Sequence, residues 1–525
     1  MPKRRLPVGI QTFRRIREEG FYYVDKTGYA RRLREDAGTH YFLSRPRRFG
    51  KSLFIDTLKE LFDGSESLFR GLAVHDDWDW SRRHPVARLD FSGGNFRKRG
   101  LLEESAAAQI DDIGRRAGVD AGSGSVSVRF RRLIEALHER ACRRVVVLVD
   151  EYDKPILDAL DEPGLARANR DDLRGLYGTL KACDAHIELT FITGVSKFSK
   201  VSLFPDLNNL IDLTLEPDYA AICGYTEADL DRVFAPELSG LDRDRIRKWY
   251  NGYHWLGAEK VYNPFGILQL FRSRRFRAHW FETATPTFLV DTLVKRRYAA
   301  PDLEGVRATA ALLSRFDVND MATEALLFQT GYLTIRDVDE DIDGTPVYRL
   351  DYPNHEVRRS LNESLLNVLT PAASRRLGDG AQLGRLLETK DFAGVEALLR
   401  ALFASIPYEW HTNNDIARYE GYWASVFYAW FAALGFDVAV EDSTSRDRLD
   451  MAVRLGGAVY LFEFKVVEQA GAGSALAQLK ERDYAEKHRA PGRTVHLVGV
   501  EFSREARNIA AFDVEQDRVP PQCES

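Results

Sequence analysis

Cysteine is scarce in this sequence, and its cysteines are far apart. The 525 residues contain four of them, Cys142, Cys183, Cys223 and Cys523, and none belongs to a Cys-x-x-Cys pair. This spacing argues against a zinc site and against a disulfide scaffold. It fits a reducing compartment, so we expect the protein to act in the cytoplasm.

Long apolar runs are also missing. The longest aliphatic run is VVVLV at residues 145–149, far shorter than the ~20 residues that a membrane-spanning helix needs. The N-terminus MPKRRLPVGI is charged, but no apolar segment follows it, so we expect no signal peptide. A membrane is therefore not among the expected partners.

The sequence has no overall excess of basic charge, because its formal net charge is −5. A histone-like nucleic-acid binder is thereby excluded. The charge is uneven, however. Residues 1–60 contain 15 Lys and Arg against 7 Asp and Glu, and much of this excess lies within or just before residues 45–51. No internal repeat or low-complexity tract is present.

The chain is too long for one hydrophobic core, and its length suggests about three domains. Residues 1–225 alternate strands and helices, which predicts a parallel sheet with crossover helices. Residues 226–400 have a mostly helical pattern, and an α/β pattern returns near residue 415. We therefore expect domains at 1–225, 226–410 and 411–525.

The expected elements are as follows. The predicted strands of the first domain are HYFLS (40–44), VVVLVDEYDKP (145–155) and IELTFITGVSKF (187–198), and a helix is predicted from Lys51. For the last domain we predict a helix at 418–434, a strand at 436–441, a hairpin at 449–465, a helix at 474–488 and a strand at 494–500.

A phosphate-binding motif is suggested by RPRRFGKSLFIDTLKELF, residues 45–62. Such a loop directs backbone N–H groups at phosphates from the start of a helix. Gly50 would allow close backbone approach, Lys51 would reach the β- and γ-phosphates, and Ser52 would bind Mg²⁺. Arg45 replaces the usual first glycine, so the motif is half matched. The alternative is a basic loop between a strand and a helix.

A second element supports the nucleotide interpretation. The aliphatic strand VVVLV is followed by Asp150 and Glu151. In P-loop ATPases an acid at this position holds Mg²⁺, and a following glutamate polarises the attacking water. The alternative is a strand that ends in a charged turn. Thr193 and Ser196, at the end of the third strand, are weaker candidates for a γ-phosphate sensor.

Four segments together resemble the AAA-ATPase-like family of prokaryotic proteins, which is related to STAND-type and archaeal ATPases. They are FYYVDKT (21–27), FLSRPRRFGKS (42–52), VVVLVDEYDKPI (145–156) and FITGVSKFS (191–199), and the resemblance covers roughly residues 6–290. RPRRFGKS is the usual form of the loop in that family. The resemblance therefore implies that the chain binds ATP and Mg²⁺ although the first glycine is replaced.

The expected nucleotide-binding residues follow from these motifs. The three arginines of the loop are able to donate charge-assisted hydrogen bonds to phosphates, or alternatively to face a nucleic acid or a partner subunit. Around the phosphates we expect Arg45, Arg47, Arg48, Phe49, Gly50, Lys51, Ser52, Leu53 and Thr193, and around the adenine Tyr23, Asp25 and Lys26. The expected Mg²⁺ ligands are Ser52 and Asp150.

Two further motifs match the family, WYNGY (249–253) and YNPFG (262–266). We interpret them as packing elements of a helical lid. Near the first of them lie Arg243, Arg245 and Arg247, which are candidates for an arginine finger by proximity alone.

A C-terminal hairpin carries a second candidate site, RLDMAVRLGGAVYLFEFKV at 448–466. Gly456 and Gly457 predict a two-residue turn. A turn centred there would pair Asp450 with Glu463, with Cβ atoms ~5 Å apart, and Lys465 would share their face. Facing carboxylates suit Mg²⁺ or Mn²⁺, which would activate water for phosphoryl displacement. The alternative is a solvated face with a cross-strand Lys–Glu pair.

The arrangement Asp450…Glu463-Phe464-Lys465 resembles the PD-(D/E)XK nuclease superfamily over residues 415–510. The resemblance adds Glu420 on the preceding helix, and Gln478 and Tyr484 on the following one. Leu449 stands where the nominal motif has proline, and this departure leaves the expected fold unchanged. The fold alone does not show that the site cleaves a nucleic acid. The resemblance implies a nucleic-acid partner, with DNA favoured over RNA.

The expected fold is therefore α/β: a P-loop NTPase parallel sheet, a helical middle domain of lid or winged-helix type, and a C-terminal restriction-endonuclease-like α/β domain. Our preferred hypothesis is an ATPase that gates a metal-dependent nuclease, in the control of mobile elements or in phage defence. The competing hypothesis is a nucleotide-switched, oligomerising scaffold whose C-terminal domain binds nucleic acid without cutting it. A nuclease with a decayed ATPase module is the third.

Overall fold

The structure is a computed structural model. It describes residues 3–36, 38–197, 203–204, 207–280, 287–296, 303–313, 322–369, 380–404, 420–439, 451–467, 473–489, 493–503, 505–506 and 508–517. The chain divides into two compact units, Met1–Thr283 with Val306–Asn354, and Ala284–Gly305 with His355–Ser525. The three-domain division stays a prediction.

The first unit is built on a parallel sheet. Its strands are β1 (His40–Ser44), β2 (Val86–Asp90), β3 (Val145–Asp150), β4 (Ile187–Gly194) and β5 (Leu210–Asp212), in the order β2-β3-β4-β1-β5. Each neighbouring pair is parallel. The three strands expected from the sequence are confirmed, although two of them end earlier, at Asp150 and Gly194. The sequence analysis missed β2 and β5, which are short and only partly buried.

The structure describes α-helices in both units. They are α1 (Phe13–Glu18), α2 (Thr27–Glu35), α3 (Lys51–Phe62), α4 (Leu101–Ala117), α5 (Val126–Ala141), α6 (Lys154–Leu157), α7 (Pro163–Ala182), α8 (Glu227–Val233), α9 (Ala235–Leu238), α10 (Arg243–Tyr250), α11 (Pro264–Ser273), α12 (Thr287–Lys295), α13 (Ala310–Leu313), α14 (Thr323–Thr330), α15 (His355–Leu369), α16 (Gly380–Glu388), α17 (Phe392–Ala404), α18 (Glu420–Leu434) and α19 (Ser474–Glu481). No helix in these ranges is long and apolar enough to cross a membrane.

Local sequence explains where the helices near the phosphate loop begin. α3 starts directly after Gly50, whose left-handed φ of 99° turns the chain from the loop into the helix. α10 and α11 start with the side chains of Asp242 and Asn263, which accept hydrogen bonds from the first backbone N–H groups of each helix. These caps fix where the two helices begin, and α11 is the one of them that lies beside the loop.

Residues 226–400 are mostly helical in the described ranges, as expected, and a three-stranded antiparallel sheet that the sequence analysis missed adds to these helices. Its strands are β6 (Val306–Thr309), β7 (Thr334–Glu340) and β8 (Pro346–Asp351), in the order β6-β8-β7. The strand signal was weak because β7 is mostly exposed and acidic, so it lacks a buried alternating face.

The second unit contains a mixed sheet. Its strands are β9 (Asp437–Ala439), β10 (Met451–Leu455), β11 (Ala458–Val467), β12 (Thr494–Ser503) and β13 (Asn508–Gln516), in the order β13-β12-β11-β10-β9. β11 and β12 run parallel and the other pairs antiparallel. The predicted helices and strands of this region are confirmed within the described ranges, except that α19 ends at Glu481, before a short 3₁₀ turn. The sequence analysis missed β13.

Helices cover both faces of this sheet. On one face, Phe427 of α18 contacts the rings of Phe462 and Phe464 at 5.2 and 4.8 Å. On the other face, α19 contributes Leu479 to a core cluster with Leu461 and Leu497. An α/β protein with a parallel first sheet and a mixed C-terminal sheet is therefore confirmed.

The hairpin of β10 and β11 has the register that its two glycines predict. Met451 pairs with Phe462, and the pairing continues to Leu455 and Ala458. Gly456 and Gly457 form the turn with φ of 56° and 80°, the left-handed values that a tight two-residue hairpin turn needs. Glu463 and Lys465 consequently share the face of β11 that α19 covers.

Candidate nucleotide and metal sites

The loop between β1 and α3 lines a cavity of about 660 Å³. Two residues of the loop have left-handed backbones, Arg48 with φ 66° and Gly50 with φ 99°. A side chain at Gly50 would meet no atom within 4 Å, so the backbone is open to the cavity there. Such a succession of turned peptide units directs N–H groups into one concavity, which is the requirement for binding phosphates. The cavity is lined, among others, by Arg47, Arg48, Phe49, Gly50, Lys51, Ser52 and Leu53.

Lys51 bonds to the loop itself. Its side chain is 3% exposed, and Nζ donates to the carbonyl oxygens of Arg45 and Pro46 at 3.0 and 3.2 Å. Nζ also lies 3.6 Å from Glu151 Oε1. The ammonium group therefore lies at the end of the cavity that the loop and Glu151 line.

Asp150 is the buried carboxylate of the site. Thr193 donates a 3.0 Å hydrogen bond to its Oδ1, and both side chains are fully buried. Burial and then the charge of Glu151 raise the pKa of Asp150, while a hydrogen bond from Ser52 opposes them. Among the described residues no donor hydrogen-bonds to Oδ2; the nearest cation to it is Arg88, at 3.9 Å. A buried, under-satisfied carboxylate beside a serine hydroxyl fits a Mg²⁺ ion.

Glu151 is held in a strained backbone conformation. Its φ is 52°, a left-handed value that costs a non-glycine residue on the order of 1–3 kcal/mol. The turn places its carboxylate against the cavity, where the side chain is 19% exposed. A carboxylate next to Lys51 and open to solvent is placed to polarise water.

The position of Arg45 differs from the expectation that this residue binds a phosphate. Its side chain is fully buried, and its guanidinium lies over the ring of Trp255 at 4.2 Å. Burial lowers the pKa of Arg45 to about 10. Its hydrogen bonds go to backbone carbonyl oxygens, those of Ser44, Thr214, Tyr219 and Ala220. Arg45 therefore stabilises the strand side of the loop and does not line the cavity; of the three arginines, Arg47 and Arg48 do.

The expected adenine contacts are only partly brought to the cavity. Tyr23 and Lys26 line it, and Lys26 also pairs with Asp229 at 2.8 Å. Asp25 instead accepts hydrogen bonds from Thr27 and from the backbone N–H of Ala73. The apolar part of the cavity, which would suit a base, is lined by Pro7, Ile10, Val24, Ile222, Tyr225 and Leu268.

The three arginine-finger candidates are engaged within the helical region. Arg243 and Arg247 bond to Glu227, and Arg245 lies over Phe276 at 4.2 Å. Their contacts account for their positions without a phosphate.

The sequence analysis missed Asp153. This residue is fully buried and accepts hydrogen bonds from the N–H groups of Val195 and Ser196, at 3.1 and 2.6 Å, and from the Ser196 hydroxyl. Burial and then the charge of Glu151 raise its pKa to about 6. Ser196 is thus bonded to Asp153, and of the two sensor candidates Thr193 is the one beside Asp150. The third acid of the DEYD segment was the available signal.

In the second unit, Glu463 and Gln478 form the clearest part of the candidate metal site. Glu463 is 4% exposed, and Gln478 of α19 donates a hydrogen bond from Nε2 to its Oε1. Lys465 is half-buried on the same face and donates to the carbonyl oxygen of Ser474 at 3.2 Å. Gln478 therefore contacts Glu463, and Lys465 shares the face of β11 that α19 covers, whereas Tyr484 packs in the core beneath α19.

Two expected members of this site fall outside the part of the chain that the structure describes. Asp450 lies outside the described residues, one position before β10, and the side chain of Glu420 lies outside them too. Within the described ranges no three His, Cys, Asp or Glu side chains form a metal-binding group. The pair of Asp450 and Glu463 as metal ligands stays a prediction.

Glu501 is a second residue that the sequence analysis missed. It pairs with Lys465 across β11 and β12 and is fully buried. Its Oε1 accepts hydrogen bonds from the N–H and hydroxyl groups of Ser474, both at 2.6 Å, and from the N–H of Ala475. The sequence did contain a signal for this residue, because Glu501 is the one acidic residue in the otherwise mostly apolar run VHLVGVEF.

Comparisons with known proteins assign a family to the N-terminal region and another to the C-terminal region. Residues 7–204 match the family described as "Predicted AAA-ATPase", and residues 418–512 match the PD-(D/E)XK nuclease superfamily. No solved structure matches the chain. An uncharacterised protein in the vnfD 5′ region of Azotobacter chroococcum mcd 1 is 58% identical over 516 residues, which cover 98% of this chain and 99% of that protein. The chain therefore belongs to the family of that protein, with an AAA-ATPase-like domain followed by a PD-(D/E)XK nuclease superfamily domain.

Proposed function

We propose that the protein binds and hydrolyses ATP with Mg²⁺, and that the state of this site controls a metal-dependent nuclease in the second unit. The carrying observation is the meeting of Lys51, Asp150 and Glu151 at one end of the parallel sheet, beside a cavity of about 660 Å³. The expected substrate is DNA. Control of mobile elements or phage is the setting in which restrained cleavage would serve the cell.

The residues of the first unit have distinct roles in this proposal. Lys51 exchanges the loop carbonyls for the β- and γ-phosphates. Ser52 and Asp150 would hold Mg²⁺, whose charge would offset that of the phosphates. Glu151 orients and polarises the attacking water, and Thr193, bonded to Asp150, links the end of β4 to the site.

The residues of the second unit divide the work similarly. Glu463, together with Asp450, would hold the metal, whose chemistry there would be to activate water for phosphodiester cleavage. Gln478 fixes the orientation of the Glu463 carboxylate. Lys465 is close enough to α19 to be held by Ser474 until substrate charge draws it away.

The test is cleavage of plasmid and linear DNA with Mg²⁺ or Mn²⁺, with and without ATP. Wild type is compared with Lys465→Ala and with the matched control Lys480→Ala, an exposed lysine of α19 that pairs with Glu515. We expect Lys465→Ala to abolish cleavage, Lys480→Ala to retain it, and ATP to change the wild-type rate.

Each outcome separates the hypotheses. Cleavage that depends on Lys465 and responds to ATP supports the gated nuclease. If the cleavage rate is the same with and without ATP and the protein binds no nucleotide, the hypothesis of a decayed ATPase module is favoured. If no DNA or RNA is cut in any nucleotide state, the proposal fails. The scaffold hypothesis then predicts that Lys51→Ala abolishes assembly while Lys465→Ala changes nothing.

A further inference from the structure

The phosphate loop keeps its shape without its usual first glycine. Arg48 adopts a left-handed backbone with φ 66°, a conformation that persists only where surrounding contacts over-determine it. The contacts of the loop therefore show which part of the unit determines its shape.

Backbone hydrogen bonds join the loop to the helical segment. The carbonyl oxygen of Arg47 accepts one from Trp280 Nε1 at 3.0 Å and one from Asn263 Nδ2 at 3.5 Å. The carbonyl oxygen of Phe49 accepts one from the N–H of Gly224 at 3.1 Å. These bonds turn two carbonyl groups toward residues 224–280, which frees the opposite side of the loop for N–H groups.

Side chains make the same connection. Phe49 is 1% exposed and contacts the rings of Tyr253 and Trp255 at 4.7 and 5.3 Å. The Arg48 guanidinium lies over Phe265 at 4.0 Å. The WYNGYHW and YNPFG segments thus contact the loop directly.

We propose that Asn263 and Trp280 are positioning residues of the nucleotide site, which set the loop by binding the carbonyl group of Arg47. This inference rests on the proposed binding of ATP and adds how it is regulated. Because binding linkage is reciprocal, a nucleotide that requires this loop shape also stabilises the contacts of residues 224–280. The segment then reports whether the site is occupied.

Asn263 has two separable roles, which makes a sharp test available. Its Oδ1 caps α11 by accepting from the N–H groups of Phe265 and Gly266, while its Nδ2 bonds to Arg47. Serine is also a good N-cap but offers no amide donor and is too short to reach the loop. Asn263→Ser therefore removes the loop contact and keeps the cap. Trp280→Phe removes the other hydrogen-bond donor to the carbonyl oxygen of Arg47, the indole Nε1–H.

The probe is the fluorescent N-methylanthraniloyl derivative of ATP, titrated into the full chain. We expect Asn263→Ser and Trp280→Phe each to raise its Kd about 3- to 10-fold, as for the loss of one hydrogen bond. The control Asp242→Ser makes the same kind of cap exchange on α10, which lacks a described contact with the loop, and should leave Kd unchanged. Hydrogen exchange at residues 249–263 should slow with ATP in wild type and less in the two variants.

The outcomes are distinguishable. If wild type binds no ATP derivative, the proposed function itself fails. If wild type binds it, but Asn263→Ser and Trp280→Phe keep the wild-type Kd and the ATP-dependent protection, the inference is overturned. A Kd raised equally in Asp242→Ser also overturns it, because a general change in the helical region would then explain the effect. Should Trp280→Phe not fold, Asn263→Ser carries the test alone.

Discussion

Lys51 Nζ lies 3.6 Å from Glu151 Oε1, although the two residues are a hundred positions apart in the chain. The contact joins the start of α3 to the residue after β3. It pairs the cation expected to bind phosphates with the carboxylate expected to act on water. Two predictions separate these roles.

Lys51→Ala should abolish ATP binding, because no other ammonium group replaces it among the loop carbonyls of Arg45 and Pro46 in the described structure. The matched control is Lys59→Ala, about two turns further along the same helix, where the lysine pairs with Asp63 at 3.0 Å. Titration with the fluorescent ATP derivative measures both. Equal affinity in wild type and Lys51→Ala would show that the ligand binds elsewhere.

Glu151→Gln should retain ATP binding and lose hydrolysis. The amide keeps the size of the side chain but removes the base, which we expect to lower kcat by about 10²-fold or more. Phosphate release measures the rate, and Glu162→Gln, at the exposed start of α7, is the control. Wild-type turnover in Glu151→Gln would assign the water to another group.

The raised pKa of Asp153 predicts that the stability of the protein depends on pH. Its pKa is raised to about 6, first by burial and then by the charge of Glu151, against about 3.9 in an unfolded chain. The folded state holds the proton more tightly, so this contribution is complete below about pH 4 and is lost as pH rises toward 6. Asp153→Asn should therefore show a smaller fall in the free energy of unfolding across that window.

Urea unfolding of the full chain between pH 4 and 7 measures this difference. The exposed Asp171→Asn should follow the wild-type curve. If the free energy of unfolding of Asp153→Asn falls with pH as steeply as that of the wild type, Asp153 is not the group that binds the proton.

Gln478→Ala should weaken metal-dependent cleavage about 10- to 100-fold, the usual effect of removing a residue that orients a metal ligand. The reason is that Glu463 Oε1 loses its amide donor. The exposed Gln382→Ala, on α16, is the control. Higher Mn²⁺ concentration should partly restore the rate of Gln478→Ala; unchanged cleavage at low Mn²⁺ would remove Gln478 from the site.

Much of the fold could be predicted because its signals are local. HYFLS, VVVLV and the hairpin glycines each determine their structure within a few residues, and the hairpin register follows from the turn. β2 and β6 were missed because they pair with strands distant in the chain, which stabilise them more than their own composition does. β13 was missed because most of its residues are only half-buried, so it lacks a clear apolar pattern.

The sequence by itself determined the chemical groups of the two sites. Their key residues are neighbours in the chain, as Gly50 is of Lys51, Asp150 of Glu151 and Glu463 of Lys465, so covalent bonds keep them close together. Only the tertiary structure decided how those groups are used. It placed Arg45 on Trp255 instead of in the cavity, bonded Asn263 to the loop, and set Glu501 beside Lys465. Burial and long-range hydrogen bonds fix these positions, and neither is encoded in any short segment.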